Sequence, residues 1–181
     1  LVINKNHKKF LKNKNLKKIK IIVGGKNRSE SSLIALKSIK KNNISKVFIH
    51  DAARPNFSLK LVSKLFKELK KNKCVIPVIK TNNSVKLKYK NKIENLDRSK
   101  IYLAQTPQAF DYKSLFKLQS ETSSKITDDA NLFIKANKKV KFIHGEINNS
   151  KITTKKDIEI NRGIKYGIGF DVHRLVPKRK L

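Results

Sequence analysis

The residues best suited to chemistry lie in one stretch, which reads Val47-Phe-Ile-His-Asp-Ala-Ala-Arg-Pro55. Its apolar start predicts a short buried strand, of the parallel type, that ends at His50 and Asp51. Open α/β sheets bind ligands at the carboxyl ends of their strands. A carboxylate there can hold a divalent metal or a ligand hydroxyl, and Arg54 can pair with phosphate oxygens. An alternative interpretation of equal weight is a plain strand end, where local backbone amides donate hydrogen bonds to Asp51.

Two further patterns are weaker when taken alone. Gly24 and Gly25 precede a predicted helix, and such a loop can bind an anion or a base through its backbone amides, although a Gly pair is more often only a tight turn. Asp171 and His173 lie two positions apart on a predicted strand, so their side chains share one side, and both residue types bind metals. Two ligands make half a metal site, and a lone pair of this kind is more often structural.

Strands and helices alternate along the chain, which predicts a three-layer α/β fold with a mainly parallel sheet. Pro77 predicts that its strand lies at an edge of the sheet or is bulged. Thr127-Asp128-Asp129 predicts a helix start, and Ser29 is the predicted cap of an earlier helix. Predicted strands cover 19–23, 73–79, 101–105 and 140–143, and predicted helices cover 30–41, 58–71, 112–119 and 155–162.

A β-hairpin is predicted over residues 84–96, where polar and apolar residues alternate on both sides of a turn at Lys90-Asn91. Such a hairpin projects from the α/β body and needs a partner for its apolar side chains. We therefore expect a homodimer contact through an arm formed by residues 81–98.

Composition limits the remaining possibilities. The 181 residues carry 44 Lys and Arg and a net charge of +31, scattered from end to end. A nucleic-acid-binding protein is expected to carry a clustered basic stripe with interleaved aromatic residues, and the sequence has neither. We therefore expect no specific nucleic acid as a partner. The surface charge favours anionic substrates. The chain starts at Leu1 and has no Met, which predicts a fragment without its natural start.

The apolar segments favour a cytoplasmic protein. The single cysteine, Cys74, lies in an apolar run and cannot form an internal disulfide, which fits a reducing compartment. No apolar run approaches the roughly 18 residues of a transmembrane helix, so no membrane is expected as a partner.

Six motifs occur in one order, and together they resemble the 2-C-methyl-D-erythritol 4-phosphate cytidylyltransferase family of the non-mevalonate isoprenoid pathway. The resemblance covers residues 1–162, and six modest motifs in order are highly specific. The motifs are Gly24-Gly25-x-x-Arg28-x-x-Ser31, His50-Asp-Ala-Ala-Arg-Pro55, Asp97-Arg98, Gln105-Thr-Pro-Gln108, Thr127-Asp128-Asp129 and Lys151-Ile-Thr153.

The resemblance implies a Rossmann-like nucleotidyltransferase that uses Mg²⁺ to join methylerythritol phosphate to CTP with release of pyrophosphate. It implies that Asp51 lies by the metal and the attacking substrate, and that the arm crosses to a partner subunit. The implied ligands of methylerythritol phosphate are Arg54, Arg98, Thr127 and Lys151. The implied remaining substrate contacts are Gly25 and Ser31 for cytosine, Ala52 and Thr106 in the same pocket, and either Thr81 or Ser84 in the arm.

Tyr166 to Arg174 resembles the opening strand of 2-C-methyl-D-erythritol 2,4-cyclodiphosphate synthase, a cyclising phosphorus–oxygen lyase. That resemblance implies that Asp171 and His173 bind a zinc-type metal in an incomplete site. Some bacteria fuse the two enzymes in this order. We therefore expect a cytidylyltransferase domain over 1–162 and a linker with the first synthase strand over 163–181.

Some departures from the family pattern limit the expectation. The family begins with a strand and a Gly-rich basic loop that holds the CTP triphosphate, and the 181 residues do not contain it, so we expect no transfer from them alone. Lys151 and Thr127 have simpler readings, as a surface lysine and a helix cap. A cytidylyltransferase for another polyol phosphate, such as ribitol 5-phosphate, is the alternative enzyme.

Overall fold

The computed structural model describes residues 1–11, 19–40, 43–122, 126 and 128–161. Two short 3₁₀ helices lie at Lys5–Leu11 and Arg98–Lys100. The strands are β1 (Val2–Ile3), β2 (Ile22–Val23), β3 (Lys46–Ile49), β4 (Cys74–Lys80), β5 (Val85–Tyr89), β6 (Lys92–Leu96), β7 (Tyr102–Ala104), β8 (Gln108–Asp111) and β9 (Lys141–His144). The helices are α1 (Arg28–Ile39), α2 (Leu59–Glu68), α3 (Tyr112–Glu121), α4 (Ala130–Lys135) and α5 (Lys155–Asn161).

The main sheet has five strands and is mixed. β4 pairs in parallel with β9, whereas its pairs with β7 and β8 are antiparallel. β8 also pairs antiparallel with β3. The α/β prediction is confirmed, but its mainly parallel character is not seen in the described strands, and neither is the parallel pairing expected for β3. The reason is β8, a short strand after Pro107 that the sequence pattern did not reveal and that inserts antiparallel between β3 and β4.

Pro77 lies inside the sheet, so the predicted edge position is wrong. β4 has β9 on one side, while β8 pairs with its first residues and β7 with its last. The Pro77 carbonyl accepts a hydrogen bond from the Gln105 N–H at 2.8 Å, so the donor that proline lacks faces the irregular link between β7 and β8. A central strand tolerates Pro here because the ladder is interrupted opposite it.

Helices cover both faces of the sheet, which gives three layers. Residues of β4 alternate between two cores: Cys74 and Ile76 pack with α1, α3 and α4, whereas Val75 packs with α2. In β8, Phe110 belongs to the first core and Ala109 to the second. Apolar residues of α2 recur at helical spacing and form a stripe, of which Leu61 and Leu65 are buried, as is Leu69 directly after the helix. The three-layer prediction is therefore confirmed.

Helix α1 begins at Arg28, shortly after Gly25, because Asn27 caps it. The Asn27 side chain accepts a hydrogen bond from the Glu30 N–H at 2.9 Å. The predicted cap, Ser29, is instead a helical residue of the first turn. Parallel strands β1 and β2 lead the chain to this helix.

The predicted hairpin is formed by β5 and β6, which pair from Val85–Leu96 to Tyr89–Lys92. Its apolar side chains Leu87, Tyr89 and Ile93 are exposed. Within the described part of the chain, the hairpin strands pair only with each other. Leu87 and Tyr89 share one face of the hairpin, whereas Ile93 lies on the other face, opposite Lys88. Exposed apolar side chains of this kind are often covered by protein contacts.

Residues 151–161 belong to a second compact unit, which starts at Lys151 and is described by itself. Its helix, α5, begins after Thr154. The Asp157 carboxylate accepts hydrogen bonds from the N–H groups of Thr153 and Thr154, each at 2.8 Å, and from the Thr153 hydroxyl. The predicted strand with Asp171 and His173 lies outside the described residues. Among the helices that are described, none has the length and apolarity to cross a membrane.

Candidate active site

Asp51 follows β3 directly and lines a cavity of about 580 Å³. Polar and small groups of Gly24, Gly25, Ser31 and Ala52 surround one part of the cavity, and apolar side chains of α1 and β3 surround another. The predicted contacts Gly25, Ser31, Asp51 and Ala52 thus share one cavity, at the carboxyl end of a strand.

Two guanidinium groups flank the Asp51 carboxylate. Nε of Arg28 lies 4.0 Å from Oδ1, and Nε of Arg54 lies 3.8 Å from Oδ2. These distances are longer than hydrogen bonds, so the attraction is Coulombic. The Asp51 side chain is 21% exposed, and guanidinium groups beside it are of the type that binds phosphate oxygens.

Thr106 connects Asp51 to His50. The Thr106 hydroxyl accepts from the Asp51 N–H at 3.0 Å and lies 3.1 Å from Nδ1 of His50. Nε2 of His50 lies 2.9 Å from the Arg54 carbonyl, which can only accept, so Nε2 carries the proton. The Thr106 hydroxyl and Nδ1 form a second hydrogen bond to the same ring, so His50 is fixed at both nitrogens.

A buried amide network fixes the loop after β9 and, through it, Arg54. Nη1 of Arg54 donates to the Asn149 carbonyl at 2.7 Å. Gln105 donates to the Glu146 carbonyl at 2.8 Å and accepts from the Glu146 N–H at 3.0 Å. The Asn149 amide donates to the Thr106 carbonyl at 2.8 Å. Burial lowers the pKa of Arg54, and the charge of Asp51 opposes that effect.

The two predicted cytosine contacts are hydrogen-bonded to each other. The Ser31 hydroxyl accepts from the Gly25 N–H at 3.1 Å and donates to the Asn27 carbonyl at 2.8 Å. Carbon atoms of the Glu30 side chain would lie about 2.3 and 2.4 Å from a Cβ on Gly25. A side chain at Gly25 therefore requires Glu30 to move, so the close approach of the loop to α1 depends on glycine.

Asp129 belongs to the site in a way that the sequence did not reveal. The sequence pattern predicted only an acidic residue in the first turn of a helix. The side chain is fully buried, and its Oδ2 lies 2.7 Å from Nη2 of Arg28. Burial raises the pKa of Asp129, while the charge of Arg28 and hydrogen bonds from Arg28 and Ser32 oppose that rise. Asp128 supplies the cap instead, because its carboxylate accepts from the Asn131 N–H at 2.9 Å.

The predicted residues of the arm lie in the hairpin or at its base. Arg98 is at the base of the hairpin, where its Nη1 donates to the Asn82 carbonyl at 2.7 Å. Ser84 lies in the hairpin, 3.4 Å from the Asn95 side-chain oxygen, and the Thr81 hydroxyl accepts from the Asn83 N–H. Lys151 is exposed and belongs to the second unit. Predicted residues outside the described part are Thr127, Asp171 and His173.

Residues that sequence reasoning left without a role are Arg28, Gln105, Asp129 and Asn149. The first three lie inside quoted motifs, which was the available signal. Asn149 lies next to a motif, and the burial of an amide in a loop is not visible in a sequence.

Comparison with known families gives one match over most of the chain. The profile of the family described as 2-C-methyl-D-erythritol 4-phosphate cytidylyltransferase matches residues 1–164. The chain belongs to this family. The resemblance read from the six motifs is thereby confirmed.

Curated relatives include members of this cytidylyltransferase family in bifunctional and single form. The "Bifunctional enzyme IspD/IspF" of Pelagibacter ubique (strain HTCC1062) is 62% identical over 181 residues, which is all of this chain and 49% of that protein. A cytidylyltransferase of Clostridium beijerinckii is 33% identical over 87% of this chain and 74% of its own length. The chain spans about half the length of the bifunctional relatives from Pelagibacter ubique and Wolbachia pipientis wMel.

Solved structures of cytidylyltransferases share the fold. The 4-diphosphocytidyl-2C-methyl-D-erythritol synthase from Anaerococcus prevotii is 34% identical, with a TM-score of 0.79 over 88% of this chain and 74% of that one. The bifunctional IspDF from Campylobacter jejuni is 31% identical, with a TM-score of 0.74 over 87% of this chain and 40% of that one.

Proposed function

We propose that the complete protein transfers a cytidylyl group from CTP to 2-C-methyl-D-erythritol 4-phosphate. A substrate phosphate oxygen attacks the α-phosphorus of CTP, the bond from that phosphorus to the bridging oxygen breaks, and pyrophosphate leaves. The observation that carries this proposal is Asp51 between two guanidinium groups at the cavity of Gly25 and Ser31. Nucleotidyl transfer depends on positioning and charge neutralisation, which such a group of residues supplies.

Each residue has a proposed role. Arg54 neutralises substrate phosphate, and its fixed position follows from the bond to the Asn149 carbonyl. Gly25 and Ser31 contact the cytosine. Thr106 holds Asp51 and His50 in place. The remaining contacts to methylerythritol phosphate, or to the pocket around it, are assigned to Ala52, Ser84, Arg98, Thr127 and Lys151.

The residues present fit Mg²⁺. The family is generally dependent on a divalent metal. Within the described residues no group of three or more acidic, His or Cys side chains could hold a metal ion unaided. Mg²⁺ commonly binds through one or two carboxylates plus substrate phosphates, which suits the lone Asp51. Bound there, Mg²⁺ would offset negative charge on the phosphates, while Asp51 orients the ion.

Assembly through the hairpin is proposed as well. Exposed Leu87 and Tyr89 lie on one face of the hairpin, and a second copy would cover that face. In such a homodimer, Arg98 and Ser84 would lie in the arm that reaches the partner. Leu87→Lys is expected to shift the protein towards monomer in sedimentation, with Lys88→Ala, an exposed residue on the opposite face of the hairpin, as the control. An unchanged dimer would contradict this contact.

The second activity is proposed for the complete protein only. Residues 1–162 would form the cytidylyltransferase domain and residues 163–181 the start of the cyclodiphosphate synthase, in a cytoplasmic enzyme. Asp171→Asn and His173→Gln are expected to remove synthase activity and zinc-type metal binding while cytidylyl transfer continues. Loss of transfer in these variants would contradict the division into two domains.

Pyrophosphate release tests the main proposal, measured with CTP and Mg²⁺ on the protein expressed from its complete gene. Asp51→Asn is expected to abolish most of the release, whereas Glu121→Gln, an exposed acid on α3, keeps it. Methylerythritol phosphate is compared with ribitol 5-phosphate. Turnover with ribitol 5-phosphate alone would assign the chain to the alternative substrate, and no turnover with either would reject the proposal.

A further inference from the structure

Arg28 links two carboxylates that come from different parts of the fold. It is the first residue of α1, and its side chain is 31% exposed. Nη2 lies 2.7 Å from Oδ2 of Asp129, next to α4, and Nε lies 4.0 Å from Oδ1 of Asp51, next to β3. Arg28 thus lies between the buried interior and the carboxylate at the cavity.

The Asp129 end of this link is rigid. A fully buried carboxylate is costly unless a countercharge pairs with it, and Arg28 supplies that charge at hydrogen-bond distance. The Asp129 backbone is held as well, because its carbonyl accepts from the Leu132 N–H at 3.2 Å in the first turn of α4. Arg28 therefore has little freedom to move.

The Asp51 end is held by charge from two sides. Arg28 faces Oδ1 and Arg54 faces Oδ2, so a rotation of the carboxylate away from one guanidinium costs attraction. Thr106 fixes the Asp51 backbone N–H but not the carboxylate. Both arginines therefore contribute to the direction of the carboxylate.

We propose that Arg28 is a positioning residue, which transfers the fixed position of Asp129 to the Asp51 carboxylate during cytidylyl transfer. This inference rests on the function proposed above. Arg54 already has a proposed substrate contact, whereas Arg28 acts through its two carboxylates. A simpler role is that Arg28 only neutralises Asp129, and the two roles predict different behaviour of a double variant.

The test uses Arg28→Met, Asp129→Asn and the double variant of the complete protein. Arg28→Met leaves a buried charge unpaired, so its melting temperature is expected to fall. Adding Asp129→Asn removes that charge and is expected to recover most of the melting temperature. Because the contact between Arg28 and Asp51 is still missing, kcat of the double variant is expected to stay about 10- to 100-fold below wild type, with the KM values for CTP and methylerythritol phosphate changed little.

Two results would overturn the inference. If the double variant recovers kcat together with stability, Arg28 serves only Asp129. If KM rises while kcat is kept, Arg28 binds substrate directly. Arg28→Lys keeps the charge but loses the planar fork, so an intermediate kcat is expected. A wild-type protein without pyrophosphate release would instead reject the proposed function, and the inference with it.

Discussion

The Thr106 hydroxyl accepts a hydrogen bond from the backbone N–H of Asp51, 55 residues earlier in the chain, at 3.0 Å. It also lies 3.1 Å from Nδ1 of His50, so one hydroxyl fixes two consecutive residues at the end of β3. Thr106 itself is buried and follows Gln105, whose amide holds the loop after β9. The position of Asp51 therefore depends on contacts from β7, β8 and the loop that carries Asn149.

Removing the Thr106 hydroxyl should reduce both stability and transfer. Thr106→Val keeps the shape but leaves the Asp51 N–H and His50 Nδ1 without this partner, which costs about 1–3 kcal/mol in the free energy of unfolding. We expect transfer to fall by about 10- to 100-fold. Thr106→Ser keeps the hydroxyl and serves as the matched control. Denaturant unfolding and pyrophosphate release are measured together, and wild-type turnover in Thr106→Val would contradict the role.

A side chain at Gly145 should disturb the network that supports Arg54. A Cβ at this position would lie 2.4 Å from Oε1 of Gln105, the atom that accepts from the Glu146 N–H. Gly145→Ala is therefore expected to lower the free energy of unfolding by about 1–3 kcal/mol.

The same substitution in a Gln105→Ala background tests the cause. If Gly145→Ala acts through Gln105, its cost should be much smaller once the amide has been removed. Equal costs in both backgrounds would show that the two residues act independently. Unfolding by urea, monitored by circular dichroism, gives all four values of the cycle.

Cys74 should be inert in the folded protein. Burial raises the pKa of its thiol to about 12, with further contributions from the charges of Asp128 and Asp129. Since the thiolate is the reactive species, iodoacetamide is expected to leave the folded protein unmodified at neutral pH and to modify it after denaturation. Mass spectrometry detects the adduct, and Cys74→Ser is the blank. Rapid modification under native conditions would contradict the burial.

Asp157 should titrate well below an ordinary aspartate. Hydrogen bonds from the backbone N–H groups of Thr153 and Thr154, and then from their hydroxyls, lower its pKa from 3.8 to about 2. Because the folded value is depressed, the stabilisation is present above about pH 3.8 and is lost as the pH falls through about 2. NMR titration of the side-chain carbon and the Thr154 amide measures it. Asp157→Asn should remove the amide transition, and a midpoint near 3.8 would refute the cap.

Much of the fold could be predicted because its signals are local. The apolar stripe of α2 and the alternation around Lys90-Asn91 depend on periodicity alone, and both elements form where they were predicted. The family membership followed from motifs in order and is confirmed. The roles assigned to individual residues stay predictions.

The parts that could not be predicted depend on contacts distant in sequence. Strand β8 is only four residues long, and its antiparallel pairing with β3 and β4 has no local signature. For the same reason Pro77 predicted either an edge position or a bulge, and the sequence could not show that the missing N–H faces an interruption in the ladder of a central strand. The motif that contains Asp129 predicts only the start of a helix. The burial of its carboxylate is explained by the guanidinium of Arg28, which is distant in sequence.

The two arginines beside Asp51 belong to an uncommon residue type in this protein. Six of its 44 basic residues are Arg and the rest are Lys, so lysine occupies nearly every cationic position. Arg28 and Arg54 each use separate guanidinium nitrogens to contact two groups at once, which a single ammonium cannot reproduce. A rare arginine in such a lysine-rich chain is therefore a guide to positions where geometry, and not charge alone, has been selected.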